Sequence, residues 1–368
     1  MESSTNILSE SDYQKNGSRA VAIWIYIGVF MLLVQVILGG ITRLTGSGLS
    51  ITEWNVVTGA LPPMSEARWV EEFDKYKATP QFRLLNMDFT ISDFKFIFFW
   101  EWFHRFWARM IGVVFVVGFI YLVTKKKLKK GMQNPLLILF LLGALQGAVG
   151  WIMVASGLTG DAIYVKPTRL AMHFVFAMVL IAYAFWFALQ LSVPKEQRAD
   201  VPSVKKQSLT ILTVLFFQLI YGALMAGLKA ATAAATWPDI NGSIIPSNLF
   251  KESPLFLNFL ENTQTVHFIH RGLAYALLIL ILVFFIRTKK LALKTRYLSN
   301  ASAIVLVLVL IQAVLGIISV LISPGIVPGK WGAFEWMAQL HQVVGMLLTL
   351  GIVATWYLST GKTFNRNL

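Results

Sequence analysis

The chain has no cysteine, so no disulfide, thiolate metal ligand or iron–sulfur cluster can form from its own residues. Charge is scarce too: Asp, Glu, Lys and Arg make up 14% of 368 residues, against 56% hydrophobic. With a mean hydropathy of +0.65, that is more apolar surface than one soluble core buries, and the chain belongs in a bilayer. Proline is nearly absent from the apolar runs. This counts against a transporter of parallel repeats, which would carry protons on its histidines and show Gly/Pro-broken helices at mid-membrane.

What is present are long apolar runs at the length a helix needs to cross hydrocarbon. They lie near 20–42, 94–124, 134–155, 169–192, 207–228, 263–287, 299–323 and 333–358. The formal charge is +14, but the bases crowd into short loops, the pattern of cytoplasmic retention and not of nucleic-acid binding. Lys125, Lys126, Lys127, Lys129 and Lys130 follow the second span, and Lys195, Arg198, Lys205 and Lys206 the fourth. Arg287, Lys289, Lys290, Lys294 and Arg296 follow the sixth, and Lys362 and Arg366 end the chain. The expectation is an all-α integral membrane protein of eight transmembrane helices with both termini cytoplasmic. The first apolar run is too long for a cleaved signal. The lack of an Arg/Ser-rich transit segment points to a bacterial plasma (inner) membrane.

The two halves repeat one design. Gln35-Val-Ile-Leu-Gly-Gly corresponds to Gln218-Leu-Ile-Tyr-Gly-Ala, and Trp54 falls at the offset of Trp237. Gln146-Gly-Ala-Val-Gly corresponds to Gln312-Ala-Val-Leu-Gly, His104-Arg105 to His270-Arg271, and His173 to His341. An even number of spans in each half predicts two pseudo-symmetric four-helix bundles related by an axis along the membrane normal. The organisation is then a cytoplasmic tail over 1–19, a bundle over 20–192 and a cytoplasmic linker over 193–206. A second bundle covers 207–358 and a tail 359–368. The external loop at 43–93 carries Trp54, Trp69, Phe73 and Phe82, and reads as a cap over a site.

Four of the five histidines sit at repeat-matched places in the outer halves of even-numbered spans. At one depth, His104 can face His173 and His270 can face His341. Paired imidazoles without thiolates or an acidic cluster suit haem iron, whereas two imidazoles per half are too few for a zinc or copper site. Interhelical hydrogen bonding is the alternative use of each. His267, one turn before His270, is not separable from it by residue type.

Glu101 lies three residues before His104 on the same helix face, where the second half has His267. An ionisable carboxyl in a membrane helix is a functional candidate, with pairing to Arg105 or Arg109 as the plainer use. The asymmetry suggests proton-linked chemistry in the first half and electron storage in the second. Arg105 and Arg271 are placed either to meet haem propionates or to snorkel outward. Gln146 and Gln312 read as helix links, and the glycines at 39, 40, 143, 147 and 150 as close packing or room for a macrocycle.

Taken together, several motifs resemble the haem A synthase family, in its cysteine-free alphaproteobacterial and mitochondrial type. They are Gly39-Gly-Ile-Thr-Arg-Leu-Thr-Gly-Ser-Gly-Leu-Ser-Ile-Thr-Glu-Trp54, Thr58-Gly-Ala-Leu-Pro-Pro63, Phe73-Asp-Lys-Tyr-Lys-Ala-Thr-Pro80, Glu-x-x-His-Arg at 101–105, Glu261-Asn262 and His341-Gln342. The similarity extends over all eight spans. It implies oxidation of a methyl group of haem O, through a hydroxymethyl intermediate, to the formyl of haem A. It also implies that His104 and His173 handle the substrate haem, that His270 and His341 hold haem b, and that Glu101 is the essential glutamate. Gly46, Trp102 and His267 depart from the residues common there.

The resemblance further implies molecular oxygen or water as oxygen source and an external electron donor. Expected partners are haem O synthase (protohaem farnesyltransferase), cytochrome oxidase assembly factors and membrane lipid, with no nucleic acid and homo-oligomerisation left open. The competing reading is a bis-histidine di-haem electron carrier, a cytochrome b-like quinol oxidoreductase. That reading would have Glu101 and the 43–93 loop recur in the second half, and they do not.

Overall fold

The computed structural model describes residues 10–53, 60–129, 131–291, 296–327 and 329–361. Trp54, Thr58, Gly59, Lys130, Lys294, Lys362 and Arg366 therefore lie outside the described residues. The α-helices are α1 (Glu10–Leu44), α2 (Glu66–Lys77), α3 (Pro80–Leu85), α4 (Ile91–Thr124), α5 (Gln133–Ala155), α6 (Pro167–Ser192), α7 (Pro202–Gly227), α8 (Thr263–Lys290), α9 (Arg296–Ile322) and α10 (Ala333–Leu358). All but α2 and α3 are long and apolar enough to cross a bilayer, which makes eight spans among the described residues. The chain is a multi-pass membrane protein.

Local chemistry sets the helix ends. Thr90 and Asp93 form a capping box at the start of α4, with Thr90 N–H donating to Asp93 Oδ2 at 2.8 Å and Asp93 N–H to Thr90 Oγ1 at 3.3 Å. Asn262 Oδ1 accepts the Gln264 and Thr265 amides, each at 3.0 Å, to cap α8. Pro167 and Pro202 open α6 and α7, where a missing N–H costs nothing. Two expected boundaries shift as a result. Helix α7 takes 202–206 from the expected linker, and α1 reaches back to Glu10, because hydrogen bonding continues through polar residues that hydropathy leaves out.

The first four spans pack as an open chain: α4 against α1, α1 against α6, α6 against α5. The second four close into a ring, α7 against α8, α8 against α9, α9 against α10 and α10 against α7. Val204, Ile211, Leu277, Ile281, Val305 and Ile352 are in the ring's buried core. Between the halves, Val36, Met178, Ile181, Met346 and Leu350 join α1, α6 and α10. In lipid such joints rest on close packing and interhelical hydrogen bonds, because apolar burial is no longer a driving force. Gln342 Nε2 donates to Val36 O at 2.8 Å and Gln339 Nε2 to Ile37 O at 3.2 Å.

Over the first bundle, α2 and α3 lie against the start of α4. Phe73, Tyr76, Phe94, Ile97 and Phe98 are buried there, with Trp69 and Phe82 packed on them. Tyr76 donates to Gln81 Oε1 at 3.0 Å and accepts from Asn86 Nδ2 at 2.7 Å, so the phenol oxygen is paired despite its burial. The 43–93 segment is thus an ordered aromatic cap where it is described.

Candidate functional site

Each paired histidine rests against a neighbouring helix that presents Gln-x-x-x-Gly. The pairs are Gln35 and Gly39 on α1, Gln146 and Gly150 on α5, Gln218 and Gly222 on α7, and Gln312 and Gly316 on α9. Four residues is about one helical turn, so the amide and the bare Cα lie one above the other on one face. The glycines admit the rings. A methyl at Gly39 would stand 3.0 Å from His104 Cε1, at Gly150 2.8 Å from His173 Cε1, at Gly222 3.2 Å from His270 Cε1, and at Gly316 3.0 Å from His341 Cε1.

The glutamines hold the rings from the side. Gln35 Nε2 lies 3.1 Å from His104 Nε2 and donates to His104 O at 3.2 Å. Gln146 Nε2 lies 3.1 Å from His173 Nδ1 and donates to His173 O, also at 3.1 Å. Gln218 Nε2 is 3.4 Å from His270 Nε2, and Gln312 Nε2 is 3.2 Å from His341 Nε2. His341 Nδ1 lies 3.0 Å from Gln312 O. The Oε1 atoms of all four glutamines, and His270 Nδ1, are buried with no partner among the described residues.

His270 and His341 have ring centres 6.4 Å apart with planes at 66°. Two imidazoles sharing one metal through bonds of about 2 Å put their ring centres roughly 6 Å apart. His173 is the electrostatic neighbour of His104 in the first half. The donor set, the glycine cradles and the orphaned amide oxygens therefore fit a haem iron between each pair. A ring Nδ1–H needs an acceptor when Nε2 ligates a metal, a need that the Gln312 backbone oxygen meets for His341.

Glu101, three residues before His104, is only 3% exposed. Its Oε2 accepts from Ser50 Oγ at 2.7 Å and from the Ile51 amide at 2.9 Å, while Oε1 accepts from Arg105 at 2.5 Å. Arg105 also donates to Ile51 O and Glu53 O. The second half repeats this with different chemistry. Arg271 Nε donates to His267 Nε2 at 2.9 Å, and its other nitrogens donate to Asp239 O, Ala234 O and Thr236 O. Both arginines thus turn toward loop carbonyls and tie the loop before each helix to that helix. Asp239, in that loop, is held below the usual carboxylate range, chiefly by hydrogen bonds from the Thr236 hydroxyl and the Gly242 amide.

Sequence reasoning found the histidines, Glu101 and the arginines but gave Gln146 and Gln312 a plain linking role, and gave Gln35 and Gln218 none. The signal was available, since Gln-x-x-x-Gly recurs on four spans. The glycines separate by use. Gly39 and Gly150 cradle rings and Gly40 meets Gln339, whereas Gly143 and Gly147 face open space. Ser50 and Ile51, which hold Glu101, lie inside the Gly39–Trp54 motif, but the sequence gave them no role of their own.

Comparisons with known proteins agree with this geometry. A family model described as cytochrome oxidase assembly protein (COX15-CtaA) matches residues 22–354. A protein of Rhizobium rhizogenes named Heme A synthase is 41% identical, covering 95% of this chain and 92% of its own. Another of that name, from Flavobacterium psychrophilum, is 39% identical over 90% of this chain and 95% of its own. A third, from Cereibacter sphaeroides, is 37% identical over 90% of this chain and 85% of its own. With the match running through all eight spans and both histidine pairs, the chain belongs to the COX15-CtaA family of cytochrome oxidase assembly proteins.

Proposed function

We propose that the chain is a haem A synthase, oxidising one methyl substituent of haem O through a hydroxymethyl stage to the formyl of haem A for cytochrome oxidase. The observation that carries this reading is the pair of like-built histidine sites of which only the first has a buried carboxylate, Glu101, on the turn before its ligand. A di-haem electron carrier has no use for that difference.

In this reading the first bundle, over 20–192, takes the substrate. His104 and His173 bind its iron, and Gln35 and Gln146 orient the two rings. Glu101 exchanges protons at its carboxylate oxygens beside the substrate methyl, and Arg105, Ser50 and Ile51 keep that carboxylate in place. The aromatic cap over α4 excludes water. The second bundle, over 207–358, would hold haem b through His270 and His341, oriented by Gln218 and Gln312, and that haem supplies one-electron transfer. Arg105 and Arg271 place positive charge at the outer edge of each site, where propionates carry negative charge. The basic loops support a bacterial plasma membrane with both termini cytoplasmic and the sites toward the outer face.

The test is expression in membranes that make haem O, followed by extraction and chromatography with mass detection. Haem A or its hydroxymethyl precursor is expected, and both should vanish in His104→Ala. Haem b alone, two per chain and indifferent to haem O supply, would overturn the reading in favour of the electron carrier.

A further inference from the structure

Two seams between the bundles are built from repeat-matched residues and differ in charge. Each sets the ring-cradling helix of one half against a ligand helix of the other, α1 against α10 and α7 against α6. The seam between α6 and α7 is apolar. Ala171, Phe174, Ile220, Ala223 and Leu224 pack there, and Pro167 lies against Gly227. Between α1 and α10 the matched places are polar: Gln339 stands for Ala171, Gln342 for Phe174, Glu335 for Pro167 and Arg43 for Ala226. One seam therefore receives a charge of each sign where the other has alanine and proline.

Arg43 is in the last turn of α1, one turn past the Gly39 that cradles His104. Its contacts nonetheless lead out of its own bundle. Nη1 donates to Ala226 O at the end of α7 over a long 3.5 Å, and its electrostatic neighbour is Glu335 at the start of α10. Ala226 lies four residues past Gly222, so this contact sits about 6 Å outward of the cradle for His270. Glu335 is 5% exposed, with Oε2 accepting from the Gly332 amide at 2.8 Å. A guanidinium carries five N–H donors, and beyond the contact to Ala226 no hydrogen bond or ion pair of Arg43 occurs among the described residues. Offsetting the dipole of α1 would need no reach to another bundle.

The second bundle's own arginine is already committed. Arg271 donates to His267 and to the Asp239, Ala234 and Thr236 carbonyls, which uses most of its N–H groups. A haem between His270 and His341 brings two propionate carboxylates, and ionised groups are not left unpaired in hydrocarbon. Their place is the polar outer edge of the site, the level at which Arg43 enters between α7 and α10. We infer that Arg43 reaches across from the first bundle and binds a propionate of the haem held in the second, through a charge-assisted contact. This rests on the reading that places haem b between His270 and His341. The bonds from Gln339 and Gln342 to the Ile37 and Val36 carbonyls hold α1 where its arginine can make that reach. The second site is then completed by a residue of the first half, which gives the polar seam a use that the apolar one lacks.

The test compares Arg43→Leu and Arg43→Lys with the parent chain, and uses Arg68→Leu, at an exposed position on the cap, as a distant control. Arg43→Leu should keep the bis-histidine haem b spectrum, since both ligands remain. Its haem b should dissociate into detergent about 10–100-fold faster, the range for one or two lost charge-assisted hydrogen bonds. The midpoint potential of haem b should fall as well, because a positive charge beside the haem favours the reduced iron, a readout that helix bracing alone would not move. Arg43→Lys keeps the charge without the planar fork, so it should restore the potential and only part of the retention. Arg68→Leu should change neither. Parental retention and potential in Arg43→Leu would overturn the contact while leaving the haem b and synthase readings intact. Faster loss of haem O with haem b unchanged would also overturn it, by placing Arg43 on the substrate. A parent chain without haem b would remove that assignment and the contact with it. Where Arg43→Leu does not accumulate, Arg43→Gln, which keeps a donor for Ala226 O, decides by the same two readouts.

Discussion

Arg271 Nε donates to His267 Nε2 over 2.9 Å, one helical turn back along α8. That bond turns His267 toward the 229–262 loop, whose carbonyls Arg271 also gathers, while His270 is left facing His341. In the first half the same two places hold Glu101 and Arg105, so one i,i+4 device serves both loops with a neutral acceptor in one and a carboxylate in the other.

His270→Ala should therefore abolish haem b, whereas His267→Ala should keep the Soret band. The second variant loses a buried hydrogen bond worth about 1–2 kcal/mol and should loosen the 229–262 loop, visible as faster limited proteolysis there. Loss of haem b in His267→Ala with retention in His270→Ala would reverse the assignment.

A methyl added at Gly150 would come within 2.8 Å of His173 Cε1, against 3.2 Å between Gly222 and His270. Gly150→Ala must push the ring aside and should weaken substrate-haem retention by about 10–100-fold, as loss of a ligand's support does. Gly222→Ala should lose much less haem b. Haem per chain after detergent washing measures both.

Gln218→Leu and Gln312→Leu should differ although they are repeat partners. His341 Nδ1 lies 3.0 Å from the backbone oxygen of Gln312, which survives the substitution, but His270 Nδ1 has no such partner among the described residues. Haem b dissociation should accelerate by about 10–100-fold in Gln218→Leu and clearly less in Gln312→Leu. Equal rates would show that the amides do not orient the rings.

Glu101→Gln keeps an oxygen for Ser50 and Ile51 but removes the charge opposite Arg105. Conversion of haem O should fall by at least about 10²-fold, the usual range for a lost acid–base group, with substrate haem still bound by its spectrum. Arg105 keeps Ile51 O and Glu53 O, so the stability loss should stay near 1–3 kcal/mol. Unchanged conversion would remove the proton-transfer role.

The cap carries a pH dependence. Burial pushes the Tyr76 phenol up from 10.0 to about 12, with the Asn86 hydrogen bond opposing. The folded cap then holds the proton more tightly than the unfolded chain. Its contribution is complete below about pH 10 and is lost as pH rises toward 12. Alkaline titration of cap unfolding should show this slope, and Tyr76→Phe should abolish it.

Eight membrane-crossing helices and the matched histidines follow from the chain alone, because span length, hydropathy and a constant repeat offset are properties of consecutive residues. Helix boundaries moved where a proline opened a helix, as at Pro202, or where hydrogen bonding ran on through polar residues, as at the start of α1. The asymmetry between Glu101 and His267 was equally readable, since it needs only alignment of the halves. Tertiary structure alone decided what each helix faces: Gln35 and Gly39 serve a ring on α4, Ser50 and Ile51 reach Glu101 from a loop, and both arginines turn to carbonyls. It alone closed α8 on α9 and left α4 apart from α5. A glycine in an apolar run reads the same whether it admits an imidazole, as Gly150 does, or leaves a gap, as Gly143 does, because the difference lies in atoms contributed by other helices.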